Sequence, residues 1–229
     1  MKKLQNIIPL LAFVAAMLLS TGCNREDSDS VDQDKIHVTY ELFYNQNEDK
    51  TYARATFQFS NALGTKLELV NNAEVSFEGD VLAFKQGLAY YEKEYAGFVN
   101  TGTFTYMDLD GNTFQNTVTI NEIAYPAGLD SLARDAAYEL IWQGDALAAD
   151  EDVIVTINGV LEGDVQSFST NADGATSIIL DRDKLEQLGE GEGTVWMDRR
   201  NMPEIQQGTS AGGILLGRYR PTNATPYLN

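Results

Sequence analysis

HVTYELFY (residues 37–44) and RATFQF (residues 54–59) decide the fold. Val38, Tyr40, Leu42 and Tyr44 alternate with His37, Thr39, Glu41 and Phe43; Ala55, Phe57 and Phe59 alternate with Arg54, Thr56 and Gln58. A period of two turns successive side chains to opposite faces, so each stretch reads as a strand with one buried face. The pattern continues outward. Phe104 and Tyr106 lead through Asp110-Gly111 into Phe114, Val118 and Ile120, a hairpin whose glycine supplies positive φ at the turn. Tyr138, Leu140 and Trp142 form another strand, followed by DVIVTIN (152–158), TVWMD (194–198) and ILLGRYR (214–220). Long amphipathic stretches are missing between these segments, which favours antiparallel sheets over parallel crossover units. One short helix is expected over Asp181–Leu188, capped by Asp181 and stopped by Gly189, and Asp130–Ala137 also has helical propensity.

The chain compares with itself at an offset of 84. Residues 53–84 lie on residues 137–168 with eight identities in 32 positions, including Glu78-Gly79-Asp80-Val81 on Glu162-Gly163-Asp164-Val165. GTFTYMD (102–108) also matches GTVWMD (193–198), in the same order. Two copies of one β-sandwich of immunoglobulin-like size are expected, spanning 35–122 and 123–229, the second with a short C-terminal tail.

The start of the chain has a different chemistry. Lys2 and Lys3 precede an uncharged run, Ile7–Leu19, of 13 residues. That is short of the roughly 20 apolar residues a helix needs to cross a bilayer, and it reads as an export signal. Ser20, Thr21 and Gly22 then lead to Cys23, the only cysteine. This segment resembles the signal peptide of bacterial lipoproteins, with Ser20 standing where the family prefers leucine. The resemblance implies cleavage after residue 22, diacylglyceryl attachment to the Cys23 sulfur and anchoring to a membrane of the cell envelope. A single thiol also leaves no internal disulfide. Asn24–Asp34 (NREDSDSVDQD) carries five acids and one aliphatic residue, too little apolar surface to offset ordering, so residues 23–34 are expected to be a lipidated, flexible acidic tether. An acidic stretch after the acylated cysteine is similar to the signal by which some Gram-negative bacteria send lipoproteins to the outer face of the outer membrane.

Charge excludes one class of partner. Removing residues 1–22 takes away two lysines and no acids, so the net charge moves from −18 to −20, with 14 basic against 34 acidic groups. Such a surface repels nucleic acid. A lipidated cysteine, an acidic segment and tandem sandwiches together resemble the surface lipoproteins of Gram-negative bacteria, some of which serve glycan uptake and others adhesion. The antibody-type disulfide is absent, and Trp142 and Trp196 are the residues that could fill its volume.

Catalytic candidates are few. His37 is the sole histidine and falls on the solvent face of its strand, so neither a Ser-His-Asp nor a Cys-His arrangement is expected, and zinc sites built from Cys and His are excluded by count. Asp108, Asp110 and Asn112 resemble the opening of a calcium loop, but Thr113 and Thr119 occupy the positions that need glycine and an acid, and a hairpin turn explains the stretch. LDRD (180–183) is similar to a cadherin motif without its companion motifs, and a helix cap suffices. No catalytic residue, cofactor or metal is assigned. Two clusters are candidates for contact. GLAYYEKEYAGF (87–98) gathers Tyr90, Tyr91, Tyr95 and Phe98, rings suited to stacking a sugar or docking a protein. Arg199, Arg200, Arg218 and Arg220 are candidates for receiving an anion or a partner. The expected function is a non-enzymatic, membrane-anchored binding or adhesion module for a glycan or protein ligand. The alternatives are a structural subunit or spacer of an envelope complex, and a carboxylate-dependent hydrolase.

Overall fold

Alternation fixes which side chains enter the core. Along Ile36–Asn45, Ile36, Val38, Tyr40, Leu42 and Tyr44 are buried, and along Lys50–Phe59 so are Thr51, Ala53, Ala55 and Phe57. The computed structural model describes residues 25–229; the signal segment and Cys23 lie outside the described residues. The N-terminal half forms β1 (Arg25–Asp27), β2 (Ile36–Asn45), β3 (Lys50–Phe59), β4 (Lys66–Glu68), β5 (Glu74–Phe77), β6 (Asp80–Val81), β7 (Ala83–Lys85), β8 (Tyr90–Ala96), β9 (Thr101–Met107) and β10 (Thr113–Thr119). The C-terminal half forms β11 (Ser131–Leu132), β12 (Tyr138–Ile141), β13 (Glu151–Asn158), β14 (Val165–Thr170), β15 (Ser177–Leu180), the single helical turn α1 (Arg182–Leu185), β16 (Gly191–Glu192), β17 (Thr194–Asn201), β18 (Gly213–Arg220) and β19 (Tyr227–Leu228). The chain is therefore all-β, with several sheets.

One large sheet runs β1-β4-β3-β2-β18-β17-β13-β14, with β8 also on β3 and β7 on β8. A second sheet, β10-β9-β5-β6, packs over the N-terminal part of the first: the Tyr40 and Phe104 rings lie 5.0 Å apart and those of Phe57 and Tyr106 4.7 Å apart. Such aromatic pairs contribute about 0.5–1.5 kcal/mol each beyond the area they bury. In the C-terminal half, the β12-β15 pair contributes Leu140, Ile178 and Leu180 to the same hydrophobic core as Val153, Val155 and Met197.

The internal match seen in the sequence has a counterpart in strand order. The antiparallel series β10-β9-β5-β6 recurs as β18-β17-β13-β14, and the antiparallel pair β3-β8 recurs as β12-β15. The two Glu-Gly-Asp-Val stretches occupy the same connection in each series: Gly79 (φ 84°) turns β5 into β6, and Gly163 (φ 80°) precedes β14. Both need the left-handed backbone that glycine adopts without a steric penalty.

The matching strand orders do not foretell how the two halves of the chain join. Strand β2 of the N-terminal half pairs in parallel with β18 of the C-terminal half over eight residues, from Val38↔Gly213 to Asn45↔Arg220, so the large sheet crosses residue 122 without interruption. The free edge of β10 is closed by the second copy as well. Gln115 N donates to Gln207 Oε1 (2.8 Å), Thr117 N donates to Gln206 Oε1 (2.7 Å), and Gln206 Nε2 returns a bond to Thr117 O (2.9 Å). Two glutamine side chains thus act as a substitute strand, covering ladder groups that would otherwise invite another chain. Gly217 is required at this contact, because a Cβ there would collide with the Thr119 carbonyl.

Three expectations are corrected. Residues 25–34 are not a loose tether: β1 pairs in parallel with β4, two 3-10 turns follow, and Ser28 and Gln33 are buried. The segment is fixed by hydrogen bonds in place of apolar burial, since Val70 N donates to Ser28 Oγ (3.2 Å) and Gln33 Nε2 donates to Ser28 O (2.7 Å). Asp130–Ala137 forms β11 and a turn where helix propensity was read, because Leu132 is drawn into the core beside Leu228 of β19. His37 has the outward parity expected but is only 7% exposed, and burial lowers its pKa. The short helix over residues 181–188 is present in its first turn, with Asp181 Oδ1 accepting from Asp183 N (2.8 Å).

Candidate functional site

The outward face of the large sheet carries a ladder of opposite charges that runs across both copies. Register sets Arg54 of β3 between Glu92 of β8 and Glu41 of β2, and Arg200 of β17 between Asp152 of β13 and Arg218 of β18. Arg54 Nε donates to Glu92 Oε2 (2.7 Å) and its Nη1 to Glu41 Oε2 (3.3 Å). Glu41 Oε1 pairs in turn with Arg218 Nη2 (2.8 Å), so one carboxylate bridges two guanidinium groups. Arg220 grips Asp198 with two parallel bonds (2.8 and 2.6 Å), and Arg200 grips Asp152 in the same way. Phe43 lies at the centre, with the guanidinium carbons of Arg218, Arg220 and Arg54 at 3.8, 5.6 and 5.7 Å from its ring centroid and Tyr52 stacked at 6.0 Å. Each cation over a ring face contributes about 0.5–2 kcal/mol, the more so where water is excluded. Burial lowers the pKa of Arg218. Burial also opposes the charge of Arg54, yet its bonds to Glu92 and Glu41 hold its pKa above the ordinary value.

Beside this ladder lies a concavity of about 420 Å³, lined by Thr39, Glu41, Arg54, Thr56, Leu88, Tyr90 and Leu216. Strands β2 and β3 supply threonines and the Glu41–Arg54 pair, β18 supplies Leu216, and the β7–β8 turn supplies Leu88. That turn closes through Ala89 N donating to Lys85 O (2.9 Å), with Ala89 held in the left-handed region (φ 52°). Tyr90 directs its hydroxyl to Glu92 Oε2 (3.2 Å), and burial together with the Glu92 charge raises its pKa, which keeps it a donor. An aromatic wall, apolar rims and a few fixed polar groups are what a small-molecule or sugar site consists of.

The predicted residues divide between this face and the core. Tyr90 lines the concavity. Tyr91 points inward, packs edge-on against Phe57 (5.6 Å), accepts from Leu69 N (2.6 Å) and has its pKa pushed up to about 12, chiefly by burial. Tyr95 leans on Phe77 and donates to Asp80 Oδ2 (3.1 Å), while Phe98 packs between Tyr44 and Tyr219. The four rings are therefore not one platform. Arg200, Arg218 and Arg220 share the outward face, each already paired with an acid. Arg199 faces inward, 3% exposed, bonded to Glu151 and to the carbonyls of Asp145 and Ala146. Arg54, Glu41 and Phe43 were missed, although alternation in β2 and β3 had put all three on the outward face.

The turn that resembles a calcium loop uses its own donors. Asp108 accepts from Asp110 N (3.0 Å), Asn112 N (2.8 Å) and Asn112 Nδ2 (2.9 Å). Among the described residues, no helix is long and apolar enough to cross a membrane.

No family model matches the chain, and no curated protein matches it. Among solved structures, one reported for the host cell surface retention of a 1.5-MDa bacterial ice-binding adhesin is similar over 86% of this chain and 66% of its own length, with a TM-score of 0.23 and 10% identity. The chain thus spans just under two thirds of that structure, and so slight a likeness assigns neither fold family nor function.

Proposed function

We propose that this chain is a non-enzymatic, lipid-anchored binding or adhesion module of the bacterial outer membrane, built from two immunoglobulin-like sandwiches. The recurrent order β10-β9-β5-β6 and β18-β17-β13-β14 supports the fold reading, since it has the layout of the G-F-C-C′ sheet of such domains, with β2-β3-β8-β7 as the matching A-B-E-D sheet of the first copy. Cys23 is the attachment site in this reading, and the ligand is a glycan or a protein segment bearing hydroxyl groups and an apolar face.

The observation that carries the binding role is the concavity on the outward sheet face, with Tyr90 beside the Glu41–Arg54 pair. The carboxylates in and beside it, Glu41 and Glu92, speak against hydrolysis. Glu41 and Glu92 are both engaged by Arg54, and Glu41 also by Arg218, so neither is arranged as a free acid or nucleophile across an open cleft.

A glycan array followed by titration tests the assignment. Tyr90→Ala is expected to weaken binding about tenfold or more, the size of an aromatic anchor's contribution. Tyr95→Ala should leave affinity unchanged, and Tyr91→Ala should lower stability in place of affinity. Full affinity retained by Tyr90→Ala would move the site elsewhere.

A further inference from the structure

We infer that the end of the large sheet where β1 begins is a membrane-contact face, with Leu63, Leu88 and Phe59 seated at the lipid surface. The inference rests on the reading of Cys23 as the lipid-attachment residue.

The ordered fold leaves almost no leash. One residue, Asn24, separates Cys23 from Arg25, a span of about 7 Å at full extension. Arg25 pairs with Lys66 and Lys66 with Gln58, so the chain enters the fold beside the loop 60–64 that joins β3 to β4. That loop carries Leu63, 96% exposed, and Phe59 at its base is 39% exposed. The β7–β8 turn reaches the same end: Lys66 Nζ donates to Leu88 O (2.5 Å), and the Arg25 guanidinium lies 5.2 Å over the ring of Phe84. Leu88 is 67% exposed. Single exposed leucines are ordinary. Here three large apolar side chains surround the only point from which an acyl chain on Cys23 could leave the fold.

The occupant follows from that position. Arg25, Lys35 and Lys66 stand at this end among the acids Glu26, Asp34 and Glu68, Glu68 being paired with Arg25 (2.9 Å), on a chain that is strongly negative as a whole. Basic groups beside apolar loop tips match the phosphate and acyl layers of a bilayer. An anchor of two residues brings such tips into the interface at high effective concentration, with no affinity of their own required. In this orientation the concavity opens sideways, just above the lipid, with Leu88 as its lower lip.

The single thiol makes the test direct. The chain from Cys23 onward, coupled through that thiol to a maleimide-headgroup lipid, is placed in vesicles of phosphatidylethanolamine and phosphatidylglycerol. Leu63→Trp and Leu161→Trp are compared, Leu161 being 67% exposed on the β13–β14 connection of the other copy. Coupled Leu63→Trp should shift its emission to the blue and be quenched by brominated acyl chains, while coupled Leu161→Trp and both uncoupled proteins remain unquenched. Coupled Leu63→Trp that emits like the uncoupled protein, or Leu161→Trp quenched equally, overturns the assigned face. The mass of the Cys23 peptide from native membranes tests the anchor separately, so loss of the anchor reading and loss of the face assignment are distinct results.

Discussion

Replacing Arg199 with methionine is expected to destabilise the protein by about 3–5 kcal/mol, because it leaves the carboxylate of Glu151 buried without its counter-charge. Arg199 and Glu151 are 3% and 2% exposed, and Arg199 Nε meets Glu151 Oε1 at 2.9 Å. Arg199 Nη2 donates to Glu151 Oε2 as well (2.5 Å), the guanidinium also bonds the carbonyls of Asp145, Ala146 and Glu122, and Asn121 Nδ2 and Ala148 N complete the shell of Glu151. The penalty comes from the orphaned charge and not from the lost bond alone. Arg199→Met combined with Glu151→Gln should therefore recover part of the loss, as urea midpoints at constant m would report. Acid separates the variants further. Burial tends to raise the pKa of Glu151, but its bonds from Arg199, Ala148 and Asn121 bring it below the ordinary value. A carboxylate whose folded pKa lies under the unfolded one stabilises above the unfolded pKa of about 4.3 and loses that contribution as pH falls through the folded value. In Arg199→Met burial acts unopposed by the guanidinium, so protonation should relieve the strain on the fold. The gap between wild type and variant should then narrow from pH 7 to pH 4; a gap constant across that range would mean Glu151 is not the source of the loss.

Much of the fold was legible because a strand's parity is local. Tyr40, Phe57, Phe104 and Val155 lie inside as alternation requires. The same rule could have divided the arginines, since Arg199 keeps the parity of Val195 and Met197, both fully buried, while Arg200 keeps that of Asp198. It could also have separated Tyr91 from Tyr90. Partner choice is different in kind. Nothing within residues 37–44 or 214–220 specifies that β2 lies in parallel against β18, because that pairing depends on two edges meeting across more than 160 residues of chain. The concavity was hidden for the same reason: its lining comes from β2, β3, β18 and the β7–β8 turn. Residues 25–34 eluded a composition argument because Ser28 and Gln33 are anchored by polar bonds, which hydrophobic content does not measure.

Phe57→Ala is the second large-effect substitution, and it tests whether the two copies behave as one body. Phe57 is fully buried, with its ring 4.7 Å from Tyr106 and 5.6 Å from Tyr91, so truncation should cost about 3–5 kcal/mol. Both tryptophans, Trp142 and Trp196, lie in the C-terminal copy, whereas seven of the eleven tyrosines lie in the N-terminal copy. Tryptophan emission therefore watches the copy that was not altered. If the copies unfold together, the emission midpoint of Phe57→Ala falls as far as the midpoint seen by far-ultraviolet circular dichroism. The reason to expect this lies in the junction. Unfolding the first copy alone would strip β18 of its eight-residue ladder with β2, and Gln206 and Gln207 of their partners on β10. A split transition, with tryptophan emission holding its wild-type midpoint, would make the β2–β18 pairing a contact between independent modules. Coincident transitions would make it the central strand pair of one cooperative sheet, and the outward face built upon it a single rigid surface.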